Sequence, residues 1–316
     1  QEWFTVFLRF VLVITLFSYG AAKGFPTQFP TLRLYRLRQT FGEISTMRIL
    51  WTFMGASTTH VVLTGLAETL GALLLIPRRT RLLGALVSLG IFTNVLMLNL
   101  SYDVCVKLFS FHLLAASVLL TAPDLRRLAS LFVLDREVEP AEHRPLFAKA
   151  SANRWAAIVW TVFLAGYGVF WMSKSYVDSR TPPRGSFAPR SPFYGIWNVE
   201  EMVVDGVVRP PLLTNRERWR RVVFDHPEYF AVQLMEGGKN HLLTLDTGKK
   251  TLALTNRGDP KLQSVLSYRQ PSPEAMVLEG IYEGRRLQVR LRKRDMKELR
   301  LVSRGFHWVN ERPFNR

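Results

Sequence analysis

Ser101–Leu114 reads SYDVCVKLFSFHLL and sits where two apolar runs nearly meet. Asp103, Lys107, Ser110 and His112 stand there among hydrophobic neighbours. An ionisable side chain costs about 3 kcal/mol at the centre of a bilayer, so it faces protein or water. On a helix, Asp103, Lys107 and Ser110 fall at i, i+4 and i+7, which is one face. His112 lies about 140° from Lys107 by the same geometry and looks elsewhere. The stretch predicts a helical membrane bundle with a polar interior.

Working outward, the other apolar runs support that prediction. Trp3 to Ala22 is interrupted only by Arg9 and is long enough to cross a bilayer. GFPTQFP (Gly24 to Pro30) breaks it. TLRLYRLRQTF (Thr31 to Phe41) sets Leu34, Leu37 and Phe41 opposite arginines, the pattern of a short helix lying in the interface. Ile49 to Ile76 exceeds a straight span and is expected as one tilted helix. Ser57, His60, Thr64, Glu68 and Gly71 form a polar and small stripe along it, and Arg78, Arg79 and Arg81 end it. Leu82 to Leu100 and Val106 to Ala122 are the third and fourth spans. After a charged connection, in which Leu125 to Leu134 continues as helix, Trp155 to Met172 is the fifth, with Trp155, Trp160 and Trp171 as an aromatic belt.

From Phe193 the period changes to two. Phe230, Val232 and Leu234 alternate, as do Leu243 and Leu245, and Leu287, Val289 and Leu291. Turn signals fall at Gly237-Gly238, Thr247-Gly248, Gly258-Asp259, Pro271 to Pro273 and Glu283-Gly284. Eight or nine short strands are expected, which suits an up-and-down, lipocalin-like barrel. Gly195-Ile196-Trp197 is similar to the G-x-W that opens such barrels, and Trp197 and Trp308 are expected to close it. A hollow barrel would hold an apolar ligand, whereas a filled one would serve docking. His226, His241 and His307 are scattered through it.

The expected organisation is a four-helix transmembrane bundle over 1–135, a charged connection over 136–154 and a fifth transmembrane helix over 155–174. A Pro/Arg-rich linker over 175–192 and a β domain over 193–316 follow. The formal charge is +17, with 20 basic and 10 acidic residues before 191 and 22 and 15 after it. Arginines cluster at the ends of apolar runs, where they meet lipid headgroups. No nucleic-acid-binding motif occurs, and basic residues alternate with acidic ones, so nucleic acid is not an expected partner. The 78–81 and 124–154 loops carry nine basic residues against five in 23–48, which puts the former in the cytoplasm and the β domain outside. The first run lacks a small-residue cleavage site and reads as an anchor. The single cysteine, Cys105, permits no intramolecular disulfide and no CxxC site, and reads as a small apolar residue at a helix start or as a redox-active thiol beside the polar stretch.

Residues 4–135 resemble the DoxX-like family of small four-helix bacterial membrane proteins. The resemblance is carried by SYG-x-x-K (Ser18 to Lys23), QFP (Gln28 to Pro30), WTFMG-x-S (Trp51 to Ser57) and G-x-x-E (Gly65 to Glu68). RRT (Arg78 to Thr80) and N-x-x-YDV-x-VK-x-x-S-x-H (Asn99 to His112) continue it in order. The chain departs from the pattern at Cys105, where members often carry Pro, and near His60, where they carry an aromatic. GFHWVNERPFNR (Gly305 to Arg316) looks like the close of larger members with an appended β domain. The resemblance implies a location in the bacterial inner membrane. It also implies a link with quinone-dependent thiosulfate oxidation or thiol redox partners. The wider superfamily includes the membrane part of vitamin K-dependent carboxylases, which would make Lys107 a base towards a reduced quinone.

The candidate site residues follow. Lys107 with Asp103 is the leading catalytic candidate, or an ion pair fixing a helix end. Glu68 is a further catalytic candidate, for proton handling or for binding a ligand; it has no partner in its own helix and is expected to be protonated or to pair with Lys23, Arg9 or Lys107. Asn94, Asn99, Tyr102 and Ser110 are candidates for bonding a quinone carbonyl or a lipid headgroup, or for joining helices. His60 and His112 are ligand candidates without a second ligand at metal spacing, so no metal site is expected. No phosphate-binding glycine loop, nucleophile elbow or zinc motif occurs, and five spans without an inverted repeat do not suggest a coupled transporter. Two readings stand: a redox-linked membrane protein binding a quinone or lipid, and an accessory subunit docking on a larger membrane complex through helices and barrel.

Overall fold

The apolar runs form helices, and the alternating half closes into a barrel. A computed structural model describes residues 2–37, 39, 41–138, 145–182 and 185–303, so His307, Trp308 and the rest of the Gly305 to Arg316 ending lie outside the described residues. The chain divides into a helical unit (1–31, 41–180 and 184–186) and a β unit (32–40, 181–183 and 187–316).

The helical unit comprises α1 (Glu2–Gly24), α2 (Thr46–Ala56), α3 (Thr58–Leu75), α4 (Arg81–Ser101), α5 (Lys107–Thr121), α6 (Leu125–Phe132) and α7 (Ala150–Arg180). Among the described residues, α1, α3, α4, α7 and the stretch Lys107–Phe132 are long and apolar enough to cross a membrane. The Ile49 to Ile76 run is not the single tilted helix expected. It breaks at Ser57, whose extended backbone ends α2 while its hydroxyl accepts from the His60 N–H at 3.3 Å and starts α3. A serine at that place competes for backbone bonds and favours a helix end. Asp103 is likewise outside a helix, in a turn at φ 51°, so Asp103, Lys107 and Ser110 do not share one helical face. The fifth span begins earlier and ends later than expected, leaving a shorter connection and a shorter linker.

Helices α1 and α3 approach backbone to backbone. A Cβ on Gly65 would lie 2.5 Å from Gly24 N and 2.8 Å from Gly20 O, and one on Gly20 would lie 2.5 Å from Thr69 Oγ1. Small residues permit such contact where apolar side chains gain nothing by leaving lipid. One end of the contact is closed by Arg9, buried although it lies in a span. Its guanidinium donates to Leu75 O at 2.7 Å and Ile76 O at 2.6 Å and sits 5.3 Å from the Trp160 ring. The last carbonyls of α3 are the negative end of its dipole, which explains a cation there.

The β unit has β1 (Gly195–Val204), β2 (Val207–Val208), β3 (Trp219–Phe224), β4 (Tyr229–Leu234), β5 (Gly238–Asp246), β6 (Thr251–Asn256), β7 (Gln263–Ser272), β8 (Ala275–Tyr282) and β9 (Arg285–Lys293). Each long strand pairs antiparallel with the next, and β9 returns to β1, closing an eight-stranded up-and-down barrel to which β2 adds a two-residue arm. Closure removes the sheet edges. Of the expected turn signals, Thr247-Gly248, Gly258-Asp259 and Glu283-Gly284 fall between strands, whereas Gly238 opens β5 and Pro271 lies just before the end of β7. Trp197, Trp219, Phe224, Phe230, Val232, Leu287, Val289 and Leu291 pack in one core, and a cavity of about 240 Å³ is bounded by Trp219, Tyr282 and Leu287 with Arg218, Lys239 and Glu283. Trp197 closes one end, donating from Nε1 to Phe193 O at 3.0 Å under the Lys293 ammonium, 5.6 Å from its ring. Gly195 is required because its φ is +152° and a Cβ would meet Lys293 Cε at 2.7 Å.

Thr31 to Phe41 does not form the expected interface helix. Its described part is a series of turns, and Leu34 is buried with Ile196, Val223, Tyr229 and Ala231, so its apolar side covers the barrel wall instead of lipid.

Gly65→Ala should lower stability by about 1–3 kcal/mol, because the methyl meets backbone that cannot rotate aside. Gly90→Ala, where a Cβ meets nothing within 4 Å, should be neutral or slightly stabilising. Thermal unfolding of both variants in one detergent checks the contrast.

His241 is buried against Tyr282, 3.1 Å from its hydroxyl, and burial pushes its pKa down to about 4. The unfolded chain takes up this proton near pH 6.5 and the barrel does not, so stability is full above that pH and falls as pH drops from about 6.5 to about 4, by up to about 3 kcal/mol. Hydrogen exchange of β5 and β8 peptides against pH should show this loss, and His241→Gln should flatten it.

Candidate functional site

The glycine contact fixes what lies one turn further along. Lys23 follows Gly20 on α1 and Glu68 follows Gly65 on α3, each by three residues. With the backbones this close, Lys23 Nζ donates to Glu68 Oε1 at 2.5 Å. The two side chains are only 8% and 5% exposed. The ammonium also lies 5.2 Å from the Tyr19 ring centroid. Glu68 Oε2 is buried and has no hydrogen-bond partner among the described residues.

This pair lines a cavity of about 480 Å³ within the helical unit. Phe29, Trp51, Met54, Leu98, Val104 and Leu113 make its walls largely apolar. Its buried polar lining adds Asn99, whose Nδ2 donates to Ser110 Oγ at 3.1 Å, so the amide is held in one orientation. Gln28 also lines it, with Oε1 buried and unpartnered among the described residues. Asn94, Cys105 and Phe109 are exposed lining residues and mark where the cavity opens. Apolar walls with a few convergent polar groups are the make-up of a small-molecule site, and this volume lies in the range of such sites.

Of the residues singled out from sequence, the fold brings Glu68, Asn94, Asn99 and Ser110 to this cavity. Tyr102 packs instead on the neighbouring cluster of Phe29, Leu50, Met54, Val61 and Val104. Asp103 and Lys107 form an ion pair outside the lining, with the Asp103 side chain 80% exposed. The Lys107 hydrogen bond and then its charge hold the Asp103 carboxyl below the usual range. His60 is exposed with its ring 5.8 Å from Phe53, and His112 is exposed and donates from Nδ1 to Leu108 O at 2.6 Å. Among the described residues no group of three or more His, Cys, Asp or Glu could hold a metal ion.

Tyr19, Gln28, Phe29 and Trp51 were not anticipated as site residues, and Lys23 only as one possible partner of Glu68. The signal was present, however. SYG-x-x-K, QFP, WTFMG and G-x-x-E each deliver residues to this one cavity. Read singly, each motif marks only a helix or its end.

No family model matches the chain, and no solved structure does. A protein of Bacillus subtilis (strain 168) named "Uncharacterized protein YwoB" is 30% identical over 141 residues, which are 45% of this chain and 87% of YwoB. The chain belongs to the YwoB family. The similarity spans nearly all of YwoB, whereas more than half of the present chain lies beyond it. The YwoB-family relationship carries no reaction with it, so the chemistry must be argued from the cavity.

Glu68→Leu alone should destabilise the helical unit by about 3–5 kcal/mol, because it leaves the Lys23 ammonium buried and uncompensated. Lys23→Met with Glu68→Leu should recover most of that loss, since neither charge then remains to be desolvated. Unfolding of the single and double variants in the same detergent, compared as a cycle, measures it.

Proposed function

We propose that this protein is a multi-pass membrane protein that binds a membrane-soluble small molecule, a quinone or a lipid, in the cavity beside Lys23 and Glu68. The observation that carries this reading is the buried ion pair lining an apolar cavity of about 480 Å³. Two charges removed from water cost several kcal/mol unless they are well paired, so their placement at a cavity rather than in packed apolar contact favours a role towards a ligand. The apolar walls suit a hydrocarbon body and the polar lining suits an oxygenated end. The DoxX-like resemblance adds a redox-linked role in a bacterial inner membrane, with the β unit on the outer side by the distribution of basic residues. The polar centre of this reading moves from Asp103 and Lys107 to Lys23 and Glu68. The carboxylase-like reading gains nothing from the geometry, since Lys107 is ion-paired outside the lining.

A second reading concerns the barrel. Its core of packed aromatic and branched side chains favours docking onto other subunits of a membrane complex over carrying an apolar ligand, since the barrel's cavity of about 240 Å³ is lined by Arg209, Glu217, Arg218, Lys239, Glu283 and Arg285 beside Trp219 and Leu287.

Protein extracted gently from its own membranes should carry one quinone or lipid species in fixed ratio, identified by mass spectrometry of the native particle. The Lys23→Met, Glu68→Leu double variant should stay folded and lose that species. Wild-type protein free of any such molecule, or a double variant that keeps it, would sink the binding reading. Protein partners in fixed ratio would support the docking reading of the barrel.

A further inference from the structure

Trp197 closes one end of the barrel, and the other end holds a cavity. The ends of β1, β4 and β8 and the starts of β3, β5 and β9 surround it, enclosing about 240 Å³. Its floor is apolar, with Met202, Val204, Trp219 and Leu287 all buried. Charge is gathered above that floor. Arg209, Arg218, Lys239 and Arg285 bring four cations and Glu217 and Glu283 two anions, a formal balance of four minus two, +2.

The two anions are taken up by their own neighbours. Lys239 Nζ donates to Glu283 Oε2 at 2.5 Å and Asn256 Nδ2 donates to Glu283 Oε1 at 3.5 Å. Arg285 pairs with Glu217 at 3.6 Å. Among the described residues, neither Arg209 nor Arg218 has a carboxylate partner. Arg218 is only 3% exposed. Carbonyls alone hold its guanidinium: Nε donates to Arg209 O and Nη1 to Trp219 O, both at 2.8 Å, while Nη2 comes no nearer than 3.4 Å to Val199 O. A buried cation without a counter-charge is costly, and carbonyl dipoles offset only part of that cost. Walls of low dielectric also leave its field poorly screened within the cavity.

We propose that this end of the barrel binds a small amphipathic carboxylate, an anionic head on a short apolar body. The cavity equals the liquid volume of about eight waters at about 30 Å³ each, so a ligand of roughly that many non-hydrogen atoms fills it. The body lies against Trp219 and Leu287, and the carboxylate supplies the negative charge that the two unpaired arginines lack. Arg209, half-buried in the lining, makes the direct contact. Arg218 stays with its carbonyls and acts through its field. An amine meets net positive charge here, and a neutral amide forfeits the attraction. The site lies wholly within the β unit and is independent of the reading of the helical cavity.

The test uses the full chain in lipid nanodiscs, with empty nanodiscs as the blank, and reads affinity by saturation-transfer NMR and calorimetry. The ligands are phenylacetate, hexanoate, phenylacetamide, 2-phenylethylamine, acetate and inorganic phosphate. Phenylacetate or hexanoate should bind at least about tenfold tighter than phenylacetamide and 2-phenylethylamine, the scale of one charge-assisted hydrogen bond. Preference for phenylacetate would assign the site to aryl carboxylates, and preference for hexanoate to alkyl ones; either upholds the proposal. Acetate and phosphate, which lack the apolar body, should bind more weakly than both. Acetate or phosphate binding as tightly as the better of the two, the amide binding equally well, or no carboxylate binding at all overturns it.

Arg209→Met should weaken the preferred carboxylate at least about tenfold and leave the amide unchanged. Arg286→Gln, outside the lining on β9, should change neither. Should Arg209→Met fail to fold, Asn215→Asp is nearly isosteric, half-buried in the lining, and lowers the local balance from +2 to +1, so it should weaken the carboxylate alone. Carboxylate affinity unchanged in either folded lining variant places the binding elsewhere and overturns the assignment.

Discussion

The helical unit depends on one close approach, that of α1 and α3 at Gly20 and Gly65. Without side chains between them the two backbones touch, and the next turn of each helix delivers a lysine and a glutamate to one another at 2.5 Å. The same geometry sets the far end of the contact, where Arg9 finds the terminal carbonyls of α3. Two buried cations on one apolar helix are thereby satisfied by the same partner helix in different ways, one by a carboxylate and one by a helix terminus. A bilayer offers no water to do either, so these pairings fix the rotation and register of α1 against α3.

The cavity follows from the break at Ser57 as much as from the ion pair. A continuous helix from residue 49 to 76 would carry its polar stripe straight. Ending α2 at Ala56 and restarting α3 at Thr58 frees α2 to take its own direction, so that Leu50, Trp51 and Met54 form a wall facing residues of α4 and α5. The barrel solves a separate problem by separate means. It packs aromatic and branched side chains into one core, closes its edges by pairing β9 with β1, and has the chain from 32 to 37 laid along its wall.

Much of the architecture was legible in the sequence because hydrophobic period is a local property. Apolar length marked the spans, the change of period at Phe193 marked the barrel, and its glycine-bearing turns marked the hairpins. The failures share a cause. Asp103 and Lys107 were prominent because charge among apolar neighbours is conspicuous along the chain, but a turn with positive φ carries Asp103 out to the surface. Thr31 to Phe41 has an interfacial pattern because an amphipathic segment does not say whether its apolar side meets lipid or protein.

The sequence by itself determined the classes of structure: where apolar runs are long enough to span, where strands alternate, and that any partner of Glu68 comes from another helix. Only the tertiary structure decided which of Lys23, Arg9 and Lys107 that partner is, because the choice turns on which glycines let two backbones meet. It likewise decided that the residues of four separate motifs line one cavity, with the Lys23–Glu68 pair in its wall. Hydrogen-bond satisfaction is a property of three-dimensional neighbours, and no spacing along a chain encodes it.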